Sequence, residues 1–294
     1  MPELPEVEVV RAGLEPAVTG ATVTSITVFD ERSLRRHDGP SEDFVDRLQG
    51  RTMLTPRRRG KFMWIPLAYG PDGEPEALVT HLGMSGQVLL RDRQRDDPLT
   101  RIRLEIEHPD HEPHRLNFVD QRIFGSMAID RLVATKDHPE QLVPSQVSHI
   151  ARDPIDEHFD DDRFLSRLAA KNTTIKRAML DQTLVSGIGN IYADESLWGA
   201  KVHYDQPTQS LSKSRAKNLL AEVRAVLRQA LAEGGTSFDA QYLNVNGQSG
   251  YFAHSLKAYG QHGKPCARCG RLLVRESFMN RGSHFCAHCQ RIRD

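Results

Sequence analysis

The first 265 residues of this 294-residue chain contain no cysteine. All four thiols, Cys266, Cys269, Cys286 and Cys289, fall in the last 29 residues. Long apolar runs are missing as well. No stretch approaches the roughly 20 residues that a membrane span needs, so no membrane association is expected. The N-terminus lacks a basic segment followed by an apolar run, so it does not read as a secretory signal. A globular, cytoplasmic protein is expected. Neither charge is in excess, with 39 Lys and Arg against 39 Asp and Glu, which taken alone argues against a nucleic-acid partner. No internal repeat is visible.

What is present argues the other way. Residues 255–294 carry eight Lys and Arg against two acids, and a second basic cluster runs Arg57-Arg58-Arg59-Gly60-Lys61. The compensating acid is concentrated elsewhere, notably between Asp153 and Asp162. Charge segregated in this way can give a neutral protein a basic face; it is equally compatible with an ordinary solvated surface. The cysteines are spaced C-x2-C-x16-C-x2-C. Two disulfides are possible in principle, but paired C-x2-C knuckles in a cytoplasmic setting favour one tetrahedral zinc ion. Four thiolates leave no open coordination position, so the site is structural. So short a segment has little apolar surface to bury, and the metal supplies much of its folding free energy.

Residues 5–18 have a helical pattern. From Ala21 to about Ile129 the chain reads as short strands (ATVTSITVF, KFMWIPL, ALVTHLG, GQVLLR, TRIRLEIEH, RLNFVD) punctuated by Gly, Pro and Asp, the signature of a sandwich or barrel. Three prolines and an acidic run mark 136–160 as a linker. Helical spacing follows in DRFLSRLAA, TIKRAMLDQ, NIYADESLWG and the long segment that ends at Gly234-Gly235. The expected fold is α+β: an N-terminal helix with a β-sandwich over 1–135, the linker 136–160, a helical domain over 161–235, a loop region over 236–260 and a zinc finger over 261–294.

Several short stretches could carry chemistry. In VSGIGNIYADE, residues 185–195, two glycines precede Asn190 at the start of a helix. The stretch is either a plain interhelical turn or a place where helix N-terminal amides meet an anion. Lys171 and Lys176 just before it suit a phosphate-gripping surface. In HLGMSGQ, residues 81–87, glycines flank Met84, which either tucks into the core or protrudes as a wedge between bases. Arg122 and Phe124 in DQRIFG could add a cation and a second wedge. Lys61 is either one more basic surface residue or a partner to the N-terminus. If Met1 is removed, Pro2 becomes a secondary amine; an α-amine has a pKa of about 8, so it is nucleophilic near neutrality and forms imines with sugar aldehydes. Glu3 and Glu6 would lie beside it as general acid and structural anchor.

Together PELPEVE, RRGKF, HLGMSGQ, DQRIFG, SGIGNIYADE, GGTSF…GYF and the four-cysteine finger with Arg281 five residues before Cys286 resemble, in order and across essentially the whole chain, the bacterial formamidopyrimidine-DNA glycosylases. The resemblance implies a monomeric base-excision-repair enzyme that removes oxidised purines from duplex DNA and then cleaves the strand, without an organic cofactor. It implies a helix–two-turn–helix domain beside the sandwich. It implies Pro2 as nucleophile at C1′, Glu3 as the acid that helps open the sugar, Glu6 as the residue positioning the terminus, Lys61 in β-elimination and Arg281 in δ-elimination. Met84, Arg122 and Phe124 would fill the gap left by an everted base and address the opposite cytosine, Lys171 and Asn190 would contact the DNA backbone, and the loop around 236–251 would cover the flipped purine. Two positions depart from the family pattern. Leu99 stands where many relatives have a DNA-contacting histidine, with Arg101 close by, and Ile123 stands where a second basic residue is common. The sister group, endonuclease VIII, shares the plan but prefers oxidised pyrimidines; Leu4, the HLGM turn and the long loop after Gly235 favour the purine enzyme. A non-catalytic DNA-binding relative would need none of Pro2, Glu3 and Glu6.

Overall fold

The structure is a computed structural model that describes residues 2–70, 73–93, 97–236, 245 and 250–293. The chain forms two compact units. The first is built on Glu6–His149, and the second on Ile150–Thr236 and Tyr251–Asp294 together with Glu3–Pro5.

Helix α1, Leu4–Val18, starts with Pro5 and Glu6 in its first turn, where a missing N–H and a negative charge are both tolerated. Within the first unit, Val7, Val10, Leu14 and Val18 line one face and are at most 1% exposed. They join a core shared by two antiparallel sheets. One sheet has the order β1-β6-β7-β5, formed by β1 Thr22–Val28, β5 Gly86–Asp92, β6 Thr100–His108 and β7 His111–Asp120. The other has the order β2-β3-β4-β8-β9, formed by β2 Arg57–Arg59, β3 Phe62–Pro66, β4 Glu76–His81, β8 Ser126–Ala134 and β9 Leu142–Pro144. Strand β6 shows the logic: Ile102, Leu104 and Ile106 point into the core, while Arg103, Glu105 and Glu107 alternate outward. Phe118 and Leu116 from one sheet meet Met127 and Leu78 from the other in that core.

Two features differ from the reading of the sequence. A helix, α2 Ser41–Leu48, interrupts the strand-like region and buries Phe44 and Leu48 completely. Pro40 precedes it and Glu42 and Asp43 fill its first turn, so its start signals are present; eight residues between strand-like runs are too few for a helical period to stand out. Within 136–160, β9 pairs with β8, and Asp130 fixes the following turn by accepting from Ser145 Oγ at 2.7 Å and Gln146 N at 2.9 Å.

The second unit holds α3 Asp161–Ala170, α4 Ile175–Leu180, α5 Asn190–Ala200 and α6 Lys213–Ala232. Asp160 and Ser212 cap α3 and α6 by accepting from the N–H three residues on. At the end of α6, Gly234 and Gly235 both take positive φ, and Gly235 N donates back to Ala230 O at 2.8 Å. Phe164, Leu168, Met179, Tyr192, Leu219 and Leu227 are among the residues of its core. A hairpin closes the chain, with β10 Val274–Phe278 and β11 Arg281–Phe285 joined through Met279 and Asn280. No described helix is long and apolar enough to cross a membrane.

Candidate catalytic and nucleic-acid-binding site

Helix α5 is buried almost all round, including the charged residues Asp194 and Glu195. Its N-terminal amides do meet an anion, and the anion is the chain's own Glu3. Gly189 N donates to Glu3 Oε2 at 2.6 Å, Ile191 N to Oε1 at 2.9 Å and Tyr192 N to Oε2 at 3.4 Å. The carboxylate is 2% exposed. It satisfies amides that a helix start leaves without partners, in the field of the helix dipole. The two glycines of VSGIGN make room for this contact. A Cβ on Gly189 would stand 2.4 Å from the Glu3 carboxyl, and one on Gly187, where φ is +86°, 2.6 Å from Leu4. Leu4 N donates to Gly187 O at 3.0 Å, which fixes the terminal segment a second time. Pro2, next in the chain to this anchored carboxylate, is buried, as is Glu6. Met1 lies outside the described residues.

In the first unit, Lys61 follows Gly60, whose φ of +57° makes the turn from β2 into β3. Of the three arginines before it, Arg57 is exposed, whereas the other two are turned inward. Arg58 pairs with Glu8 at 2.9 Å and donates to Gly60 O, and Arg59 is buried. Beside Lys61 stands His81 at the end of β4. Burial, and then the positive charges of Arg36, Lys61 and Arg35, push its pKa down to about 4. Its Nδ1 accepts from Gly83 N at 3.1 Å, which leaves Nε2 as the protonated nitrogen of the neutral ring.

The turns that carry Met84 and Phe124 protrude: the two side chains are 46% and 47% exposed. A buried carboxylate organises both turns. Asp120 accepts from Ser85 Oγ at 2.6 Å, Arg122 N at 3.0 Å and Gly125 N at 2.6 Å. Gly83, at φ +62°, lets the two turns touch, because a Cβ there would lie 2.3 Å from the Phe124 backbone. Arg35 donates to the carbonyls of Ile123 and Phe124 from the outside. Ile123 itself has φ +55°, an uncommon conformation for a β-branched residue. Leu99 is exposed at φ +64°. Arg101 is held by the Asp120 carbonyl at 2.8 Å and by Asp30 at 3.6 Å.

In the second unit, Lys171 pairs with Asp181 at 2.7 Å. Lys176, expected on a phosphate-gripping surface, is instead fully buried and paired with Asp194 at 2.6 Å. Asn190 donates to Gly282 O at 3.0 Å, and Arg281 is exposed at the start of β11. Glu195 accepts from the amides of Lys257, Ala258 and Tyr259. The sequence reading passed over His81, Asp120, Asp194 and Glu195. The signal was an ionisable residue inside each quoted motif with no role of its own.

The sulfur atoms of Cys266, Cys269, Cys286 and Cys289 lie within 4.8 Å of one another, the only such metal-holding cluster among the described residues. Burial and the neighbouring sulfurs push the Cys289 thiol up to about 12. Burial also raises Cys266, but N–H donors from Arg268, Trp198 and Cys269 outweigh it and bring that thiol down to about 6. Four thiols at this spacing need a cation to ionise together, and a tetrahedral zinc meets that need.

A β-sandwich unit, a unit of helices and a four-thiolate hairpin define a zinc-finger protein of the helix–two-turn–helix class. Residues 1–127 match the formamidopyrimidine-DNA glycosylase N-terminal domain, 150–241 the formamidopyrimidine-DNA glycosylase H2TH domain, and 263–292 the zinc finger found in FPG and IleRS. The chain is 62% identical to the formamidopyrimidine-DNA glycosylase of Leifsonia xyli, over 99% of this chain and 100% of the relative. It is 52% identical to that of Thermobifida fusca, over 99% and 97%. Among solved structures it is similar to the MutM (Fpg) protein of Thermus thermophilus, with a TM-score of 0.81 and 34% identity over 98% of both chains. It is also similar to Lactococcus lactis Fpg in complex with DNA containing an abasic site, with a TM-score of 0.82 and 29% identity over 98% and 99%. The chain belongs to the formamidopyrimidine-DNA glycosylase family, and its cofactor is one structural zinc held by the four cysteines.

Proposed function

We propose that Pro2, freed of Met1, is the nucleophile of this enzyme and that Glu3 is its proton donor. The enzyme is a DNA glycosylase of base-excision repair that removes oxidised purines from duplex DNA, with the lyase activity on abasic sites that characterises its family. The observation that carries the assignment of roles is the anchoring of Glu3. The amides of Gly189, Ile191 and Tyr192 at the start of α5 hold the carboxylate of the residue that follows Pro2, so a proton-transfer group has a fixed place before substrate arrives.

The Pro2 nitrogen bonds to C1′ as the bond from C1′ to the damaged base breaks, and the departing base takes a proton from water. The Glu3 carboxylate accepts the proton that the Pro2 nitrogen sheds and passes it to O4′ as the C1′–O4′ bond opens, giving an iminium ion between Pro2 and the open sugar. Loss of a C2′ proton then expels the 3′-phosphate, with Lys61 beside the DNA backbone. Loss of a C4′ proton expels the 5′-phosphate, with Arg281 as the cation at that phosphate. Glu6 anchors the start of α1. Met84, Phe124 and Arg122 occupy the space vacated by the everted base. Lys171 and Asn190 contact the backbone, and zinc keeps the hairpin that bears Arg281 folded. The loop proposed to cover the flipped purine, within 236–260, lies largely outside the described residues. The enzyme acts as a monomer on the DNA of the bacterial cytoplasm.

Borohydride reduction during incubation with an 8-oxoguanine duplex tests the mechanism. Wild-type protein becomes covalently linked to DNA through a residue whose intact mass shows Met1 removed. Pro2→Gly binds the duplex but loses turnover by on the order of a hundredfold or more. Full activity of Pro2→Gly, or active enzyme that retains Met1, refutes it.

A further inference from the structure

We propose that Asp194 is a positioning residue for Arg281: from α5 it fixes the strand that presents the guanidinium to DNA. The proposal rests on the reading of Arg281 given above.

Asp194 is 1% exposed, and both of its oxygens are engaged. Oδ1 accepts from Lys176 Nζ at 2.6 Å and Ser283 Oγ at 3.2 Å. Oδ2 accepts from His284 N at 2.9 Å and faces His284 Nδ1 at 3.1 Å. The carbonyl of Gly282 accepts from Asn190 Nδ2 at 3.0 Å and faces Lys176 Nζ at 3.4 Å. Each of the three residues after Arg281 is therefore bonded to α4 or α5. The residues before it are constrained too. Met279 and Asn280 have φ values of +47° and +59°, the two-residue turn that requires positive φ at both positions. Arg281 itself is exposed. Its backbone sits between a tight turn and a pinned strand, and only its side-chain torsions remain free to find a phosphate.

The four thiolates do not supply this constraint. They close the knuckles at 266–269 and 286–289, whereas Arg281 lies five residues away along β11. A buried ion pair such as Lys176–Asp194 is rarely the most stabilising filling for its space, because apolar side chains of similar volume do as well. What it adds here is direction. Two oxygens in fixed geometry bond a backbone amide, a hydroxyl and an ammonium at once, and that sets the register of β11 against α5.

The test uses full-length, zinc-loaded protein and a duplex containing an abasic site, with products resolved as the 3′-unsaturated aldehyde of β-elimination and the 3′-phosphate of β,δ-elimination. Two variants are compared, Asp194→Asn and the double variant Asp194→Leu/Lys176→Met; the second removes both buried charges and so avoids an unpaired ammonium. In both, zinc content stays at one per chain and borohydride trapping stays within about threefold of wild type, while the share of β,δ product falls about tenfold because the guanidinium is misplaced. An unchanged product ratio in zinc-loaded protein overturns the proposal. So does a parallel loss of zinc, trapping and both products, which marks a merely structural role. Arg281→Ala, run alongside, separates the two levels: if it keeps the β,δ product, the role of Arg281 fails, and the positioning role with it.

Discussion

Two buried aspartates, one in each unit, do the same job by different means. Asp120 in the sandwich holds the exposed turns of Met84, Arg122 and Phe124; Asp194 in the helical unit holds the strand of Arg281. Asp120 is met by a hydroxyl and two backbone amides, whereas Asp194 has a buried ammonium as well. The difference follows from what lies beneath each. Asp120 stands over a large apolar core that already fixes β5, β7 and β8, so neutral donors suffice to shape the turns. The finger's own buried cluster is Cys266, Leu273 and Cys286, with Trp198 packed against it, while Phe278 and Phe285 join the core of the helical unit; so short a segment has little core of its own and needs metal to stay folded and charge to fix its direction. Exposed tools are thus held by buried carboxylates, and the type of partner reflects how much apolar support is available.

Removing the metal breaks this comparison most severely. Chelation of zinc is expected to unfold the hairpin and lower duplex affinity on the order of a hundredfold, while the sandwich keeps its own thermal transition. Calorimetry and duplex titration check both halves, and an unchanged affinity in metal-free protein removes the finger from the DNA interface. A smaller effect is expected at the other aspartate. Asp120→Asn turns an acceptor toward its neighbours as a donor, and should cost about 1–3 kcal/mol and relax discrimination of the base opposite the lesion. Denaturant unfolding and cleavage of duplexes with cytosine or adenine opposite 8-oxoguanine read these out; equal selectivity would show that the turns shape themselves.

The effect that is smallest at neutral pH concerns a protonation. His81, beside Lys61, is pushed down to about 4 in the folded protein, against about 6.5 in the unfolded chain. The unfolded state therefore binds the proton first. The stabilisation is complete above pH 6.5 and is lost as pH falls from there toward 4. An NMR titration should place the imidazole near 4, and His81→Gln should flatten the stability profile across that window. A midpoint near 6.5 would mean that neither burial nor the surrounding cations act on the ring.

Much of the fold was legible because its signals are local. Alternation in TRIRLEIEH, helical spacing in the long segment before Gly234-Gly235 and the C-x2-C pairs each depend on neighbours in sequence. Helix α2 escaped notice because eight residues give barely two turns of period. The candidate site divides in the same way. That a helix begins at GIGN, either after a plain turn or with its amides facing an anion, could be read from the sequence. That the anion is Glu3, 186 residues away in sequence, could not. The burial of Lys176 was equally invisible, since a lysine in TIKRAM looks like any surface lysine until Asp194, Ser283 and Phe278 close around it.

The sequence by itself determined the order of sandwich, helices and finger and the zinc ligands, because periodicity and ligand spacing are written within a few residues. Tertiary structure alone decided which charges face solvent and which are paired out of reach, as with Arg58 on Glu8 and Lys176 on Asp194. An ion pair depends on distance in space and on loss of water, and neither quantity exists until distant segments have been brought together.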